Sequence, residues 1–141
     1  MKEAQSSRRI PRSIGAVAAG FFTTFILSIA TDVLLHAIGV FPKWGQPMSD
    51  ALFGLATLYR LVYTILAGYI TARLAPDRPT AHVWMLGILG LLAAVAGTIA
   101  TWNQGPEFGP KWYPLALVVT ALPCVWIGGK LALRNSTAST L

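Results

Sequence analysis

A lone arginine in the middle of an apolar stretch is the residue of this sequence most able to carry chemistry. Arg60 is the only charged residue between positions 51 and 72. A guanidinium near the centre of a bilayer costs at least about 2.5 kcal/mol unless it finds a partner or water. We therefore expect a compensating group beside Arg60.

Asp32 is the best candidate for that compensating group. With a rise of about 1.5 Å per residue, Arg60 lies about 21 Å from the helix end at Leu74, and Asp32 about 27 Å from the start at Ile14. Helical side chains lean toward the N-terminus of their own helix, which brings Arg60 closer to the level of Asp32. The sequence thus predicts an ion pair between the first two apolar segments.

His36 follows Asp32 by one helical turn and is expected on the same face. Together with Arg60 these residues would form a polar cluster that opens to the outer surface, bordered by Asp50. Intramembrane ionisable residues are functional candidates, so this cluster is a candidate binding site, as a proton or ion relay or a headgroup pocket. The structural alternative is that it only fixes helix register. An Asp/His pair offers fewer ligands than a catalytic zinc takes, so no metal site is predicted.

Composition indicates what must position these residues. The chain has 141 residues, of which 55% are hydrophobic and 11% charged, whereas a soluble domain has roughly a quarter charged residues. A membrane-spanning helix needs about 20 apolar residues. Four runs of that length are present, at about 14–38, 50–74, 80–102 and 112–133. The predicted fold is an all-α polytopic membrane protein, a four-transmembrane-helix bundle, with a basic tail at 1–13 and a polar tail at 134–141.

The distribution of basic residues predicts the orientation of these spans. The side of the two termini and the APDRP turn carries most of them: Lys2, Arg8, Arg9, Arg12, Arg73, Arg78, Lys130 and Arg134. The other side carries only Lys43 and Lys111. Because loops rich in Lys and Arg stay cytoplasmic, both termini are expected on the cytoplasmic side of the membrane. This basic rim would attract anionic lipid headgroups.

The net charge of +6 and a pI near 10 would suggest nucleic-acid binding in a soluble protein. Here the basic residues lie at helix ends, so no nucleic-acid partner is expected. The single cysteine, Cys124, lies in an apolar run and is expected to be a small core residue.

Two stripes of polar and small residues predict how the first two spans meet. On the second span the stripe comprises Thr57, Arg60, Thr64, Gly68 and Thr71, and on the first Gly20, Thr24, Ser28 and Asp32. Such stripes must face protein rather than lipid, so we expect them to pack against each other. The small-residue face of the third span, Gly87, Gly90, Ala94, Gly97, Thr98 and Thr101, would pack within the bundle or form a homodimer contact.

Local signals complete the predicted elements. Ser49 is expected to cap the second helix, and Thr80 the third. Tyr59 is expected to be a packing residue, and His82, near the inner interface, to be solvated. Ser28-Ile29-Ala30 resembles a signal-peptidase site, but the apolar run continues beyond it, so we expect the first span to be retained.

Three phrases in this order, TDVLLHAIGVFP, YRLVYTILAGYITARLAP and ALVVTALPCVWIGGKLAL, resemble a group of short four-span bacterial inner-membrane proteins that has no assigned activity. The resemblance covers nearly the whole chain and implies a membrane location without implying a reaction.

No phosphate-binding loop, dinucleotide turn, nucleophile elbow or metalloprotease motif is present in the sequence, so neither an enzyme nor a cofactor is expected. The prediction is a non-enzymatic accessory or interaction protein with a structural Asp/Arg/His cluster, acting in a homo-oligomer or a larger membrane complex. The alternative is a small oligomeric transporter or channel that uses Asp32, His36 and Arg60 as a titrating or ligand-binding site.

Overall fold

The structure, a computed structural model, is all-helical and describes residues 2–139. Residue 1 of the predicted basic tail and residues 140–141 of the predicted polar tail lie outside the described residues. The four helices are α1 (Lys2–Ala37), α2 (Asp50–Leu74), α3 (Pro79–Thr101) and α4 (Trp112–Ala138), with a 3-10 turn at Pro106–Phe108. Each helix is long and apolar enough to cross a membrane, which indicates a multi-pass membrane protein.

Helix α2 is the central element of the assembly. It runs antiparallel to α1, as contacts between Thr24 and Thr64 and between Asp32 and Arg60 show. It packs most extensively on α4, which also packs on α3. The two chain termini and the turn between α2 and α3 therefore lie at one end, called here the terminal end. The two long connections, 38–49 and 102–111, lie at the other, called the loop end.

Two glycines set the close approach of α2 and α4. A methyl group at Gly68 would overlap the backbone carbonyl of Val125, and one at Gly128 would overlap the backbone carbonyl of Ile65. Because these neighbours are backbone atoms, only a residue without a side chain lets the helices come this close. The contact fixes the register of α4 relative to α2.

The most tightly packed region lies toward the terminal end. Its buried side chains come from three helices: Ala67, Ala72, Val83, Leu86, Val125 and Ala132. Val17 and Phe21 of α1 cover them. Large apolar side chains such as Ile99 and Val119 are instead exposed on the outside of the assembly. In water such a surface would cause association, whereas in a bilayer it faces lipid.

The structure differs from the sequence prediction at the N-terminus. The predicted span begins at about 14, whereas α1 also includes residues 2–13 of the basic tail, and the helix passes through Pro11. Extending an existing helix avoids the cost of nucleation, which explains why exposed polar residues can remain helical. Arg9 reaches Asp77 in the α2–α3 turn at 3.4 Å, but both side chains are exposed, and such pairs contribute little stability.

The helix caps are partly as predicted. Ser49 caps α2 by accepting a hydrogen bond from the Leu52 amide. The predicted Thr80 cap of α3 is wrong, because the helix begins at Pro79 after Arg78. Proline suits the first helical position, since its missing N–H needs no partner there.

The expectation that His82 is solvated is also wrong. Its side chain is buried, and its Nδ1 lies 3.1 Å from the carbonyl oxygen of Arg78, one turn earlier. The neighbouring Val83 is also buried and would contact a methyl group placed at Gly129, so the start of α3 is packed inside the protein rather than exposed.

Candidate functional site

The ion pair predicted between the first two spans is present. Arg60 Nη2 lies 2.5 Å from Asp32 Oδ2, and each side chain retains 21% of its exposure. The guanidinium and the carboxylate are therefore in direct, charge-assisted hydrogen-bond contact. The pair joins α1 to α2 near the loop end. It gives the guanidinium the partner that an arginine within a membrane span needs.

Two tyrosines complete the surroundings of the ion pair. The Tyr59 hydroxyl donates a hydrogen bond to the other oxygen of Asp32 and accepts one of 3.0 Å from Arg60 Nη1. The ring of Tyr113, at the start of α4, has its centroid 5.9 Å from the guanidinium carbon. Tyr59 is therefore part of the cluster, and the expectation that it only packs is wrong. Its adjacency to Arg60 in the sequence could not have indicated this, because neighbouring residues on a helix do not face each other.

His36 does not join this hydrogen-bonded cluster. Its Nδ1 lies 2.6 Å from the carbonyl oxygen of Pro42, and its ring stacks on Trp44 with centroids 3.7 Å apart. Phe41 meets the same imidazole edge-on. His36 thus holds the 38–49 loop against the end of α1, so the structure places it next to the cluster rather than within it.

A cavity of about 370 Å³ lies above the ion pair at the loop end. We call it the loop-end cavity. Asp32, His36 and Arg60 are all among its lining residues, and in the described part of the chain Glu107 is the only other charged residue that lines it. The fourth predicted site residue, Asp50, is exposed and does not line this cavity. The geometry therefore brings three of the four predicted residues to one space.

A second cavity, of about 350 Å³, lies between all four helices on the other side of Arg60. We call it the lateral cavity. Among residues 2–139, Arg60 is the only charged residue that lines it, and the remaining lining is apolar or carries hydroxyl groups, among them Thr24, Ser28 and Thr64. Of the described residues, Arg60 alone lines both cavities. The guanidinium therefore lies between a space at the loop end and a space inside the helical domain.

The polar stripes of α1 and α2 meet in part as predicted, whereas Gly68 of the α2 stripe packs against Val125 of α4 instead. Thr24 and Thr64 lie 3.4 Å apart, Thr31 and Tyr63 2.7 Å, and Thr71 donates to a carbonyl of α1 at 3.1 Å. Hydrogen bonds between spans of this kind contribute about 0.6 kcal/mol each on average.

The small-residue face of α3 is only partly engaged within the helical domain. Gly87 and Thr98 are buried, and Gly90 lines the lateral cavity. A methyl group at Gly97 would meet nothing within 4 Å, so that part of the face is open.

Within residues 2–139, no group of three or more His, Cys, Asp or Glu side chains is placed to hold a metal ion. The single cysteine, Cys124, is buried and unpaired.

No family model, curated protein or solved structure matches the chain. The functional argument therefore rests on the geometry of the cluster and its two cavities.

Proposed function

We propose that this chain is a non-enzymatic accessory protein of the bacterial inner membrane whose Asp32, Arg60 and Tyr59 cluster is structural. The observation that supports a structural role is that these three side chains are hydrogen-bonded to one another across α1 and α2. A buried polar cluster whose members are paired rigidifies and specifies one helix arrangement. His36 contributes separately, by holding the loop that follows α1.

Small oligomeric transporters or channels are the second candidate class. The observation that favours this class is that Arg60 lines both the loop-end cavity and the lateral cavity. A side chain that moved aside at this point would connect the two spaces. Asp32 and His36 line the loop-end cavity and would be the titrating or ligand-binding groups of such a route.

A flux measurement separates the two classes. The full chain is reconstituted in liposomes, and fluxes of protons, monovalent cations and halides are followed with entrapped indicator dyes. We expect background rates equal to those of protein-free liposomes, because the paired cluster leaves no open path. Flux above background in the wild type that is lost when Asp32→Leu and Arg60→Leu are combined would contradict the accessory role and support transport.

We further propose a four-helix bundle in the inner membrane with both termini in the cytoplasm. This orientation is supported by the excess of Lys and Arg at the terminal end and by Trp102 and Trp112 beside the loop-end connection. Lys111 lies over the Trp102 ring at 4.7 Å, a cation–π contact between two residues of the loop end.

Single-cysteine labelling tests the orientation. In a Cys124→Ala background, Gln104→Cys is expected to react with a membrane-impermeant maleimide on spheroplasts. Ser7→Cys is expected to react only after the membrane is permeabilised. Both positions are exposed in the structure, so a difference in labelling reports the side of the membrane rather than burial within the protein. Labelling of Ser7→Cys on intact spheroplasts would contradict the proposed orientation.

A further inference from the structure

We propose that the lateral cavity binds one membrane phospholipid, with an acyl chain between α1 and α3 and the phosphate at Arg60. This proposal does not depend on the accessory role, because it requires only the cavity and the guanidinium. It assigns a ligand to a space that the ion pair leaves open.

The lining of the lateral cavity suits a hydrocarbon chain. It is formed mainly by apolar side chains from all four helices, including Phe21, Leu86, Leu117 and Val125. Its volume, about 350 Å³, falls within the range of about 300 to 1,000 Å³ for ligand pockets. An apolar cavity left empty destabilises a protein roughly in proportion to its volume. In a bilayer, lipid chains are the molecules at hand to fill it.

The lateral cavity opens toward the lipid between α1 and α3. Its exposed lining residues are Phe25 and Ile29 of α1 and Ala93 of α3. In contrast, its lining residues on α2 and α4 are buried or half-buried. Helices α1 and α3 also share the smallest contact of the neighbouring pairs. A lipid chain can therefore enter sideways from the bilayer without passing through the loop end.

The opening continues along the outside as an apolar groove between α1 and α3. This groove is lined by Val17, Phe21, Phe22, Met85 and Leu89, among others. Phe21 lines both the groove and the lateral cavity. One chain of a phospholipid can occupy the cavity while the second lies in the groove, which matches a two-chain lipid better than a single fatty acid.

The polar end of the lateral cavity suits an anionic group. Arg60 makes three hydrogen bonds, fewer than the N–H groups of a guanidinium. The carboxylate of Asp32 lines the loop-end cavity but not the lateral cavity, so the charge facing the lateral cavity is positive. The Ser28 hydroxyl also lines this space and makes no hydrogen bond within residues 2–139. These donors can hold a phosphate, for which arginine is well suited.

The depth of Arg60 agrees with a headgroup position. Its guanidinium lies 5.9 Å from the ring of Tyr113, the second residue of α4. Tyr113 follows Trp112, and such aromatic pairs mark the membrane interface, where headgroups begin. A phosphate at Arg60 therefore lies just below the interface of the leaflet at the loop end.

Native mass spectrometry of the full chain tests the proposal. Delipidated protein is titrated with palmitoyl-oleoyl phosphatidylglycerol, and the fraction carrying one lipid is measured. Ala93→Phe places a ring at the mouth of the cavity; the matched control is Ala96→Phe, which is exposed on α3 and does not line it. We expect Ala93→Phe to weaken binding at least roughly tenfold, about 1.4 kcal/mol, and Ala96→Phe to bind like the wild type.

Two further arms keep the test decisive. If Ala93→Phe is not monodisperse, Ile29→Trp narrows the same mouth from α1 and carries the same expectation. Palmitoyl-oleoyl glycerol, which lacks the phosphate, is expected to bind at least roughly tenfold more weakly than the phospholipid. Equal binding of the two lipids, or equal loss in Ala93→Phe and Ala96→Phe, would overturn the proposal. The readout is binding, so it is separate from the flux that tests the accessory role.

Discussion

Asp32→Leu alone is expected to destabilise the protein by about 3 kcal/mol, because removing one partner of a buried ion pair leaves the other charge uncompensated. Arg60→Leu alone is expected to cost a similar amount, since it strands the carboxylate. The expected loss of about 3 kcal/mol lies at the lower end of the range for breaking a buried ion pair, because each of the two side chains is still 21% exposed. Unfolding free energies in mixed micelles of mild detergent and dodecyl sulfate provide the measurement.

The double variant with Asp32→Leu and Arg60→Leu is expected to recover most of that loss, because two apolar residues of similar size need no mutual compensation. The matched control is the exposed pair Arg9 and Asp77, which also joins two segments but lies outside the membrane domain. Replacing either of these by alanine should change stability by at most about 1 kcal/mol. A double variant that loses as much stability as the two single variants added together would show that Asp32 and Arg60 do not interact and that the pair is not the link between α1 and α2.

Gly68→Ala and Gly128→Ala are each expected to destabilise the protein by about 1 to 3 kcal/mol, because the added methyl group overlaps backbone carbonyls of the facing helix. Neither backbone can yield without separating α2 from α4. Either substitution is also expected to shift Tyr113 of α4 relative to Arg60 of α2, since the register of these two helices sets the distance between the two side chains. The same unfolding measurement in micelles reports the loss.

Gly54→Ala on α2 and Gly97→Ala on α3 are the matched controls for these glycines. A methyl group at either position meets nothing within 4 Å, and alanine stabilises a helix interior by roughly 0.5 to 1 kcal/mol relative to glycine. The two sets are therefore expected to change stability in opposite directions. Stabilisation by Gly68→Ala would mean that α2 and α4 are not in close contact.

The ion pair and the glycine contacts join different pairs of helices, and neither joins α1 to α3. The ion pair joins α1 to α2, whereas the glycines join α2 to α4. Neither contact joins α1 to α3, and the lateral cavity opens between these two helices. Variants that close this side should therefore affect lipid binding with little effect on the two stabilising contacts.

The apolar runs were sufficient to locate the helices, because a helix that crosses a bilayer must be apolar over a length set by the hydrocarbon thickness. The pairing of Asp32 with Arg60 also followed from the sequence. The two spans are consecutive and antiparallel, and each carries one membrane-embedded charge of opposite sign at nearly the same level. Few other pairs of residues on these two spans combine opposite charges with a similar depth in the membrane.

The tertiary structure decided the surroundings of that pair. The separation of His36 from the cluster depends on how the loop places Pro42 and Trp44, which no periodicity indicates. The contact of Tyr113 with Arg60 and the two cavities depend on the register between α2 and α4, helices that are not consecutive. That register arises from glycine contacts distributed along both helices. These contacts exist only when α2 and α4 pack against each other, so the sequence of either helix alone does not indicate them.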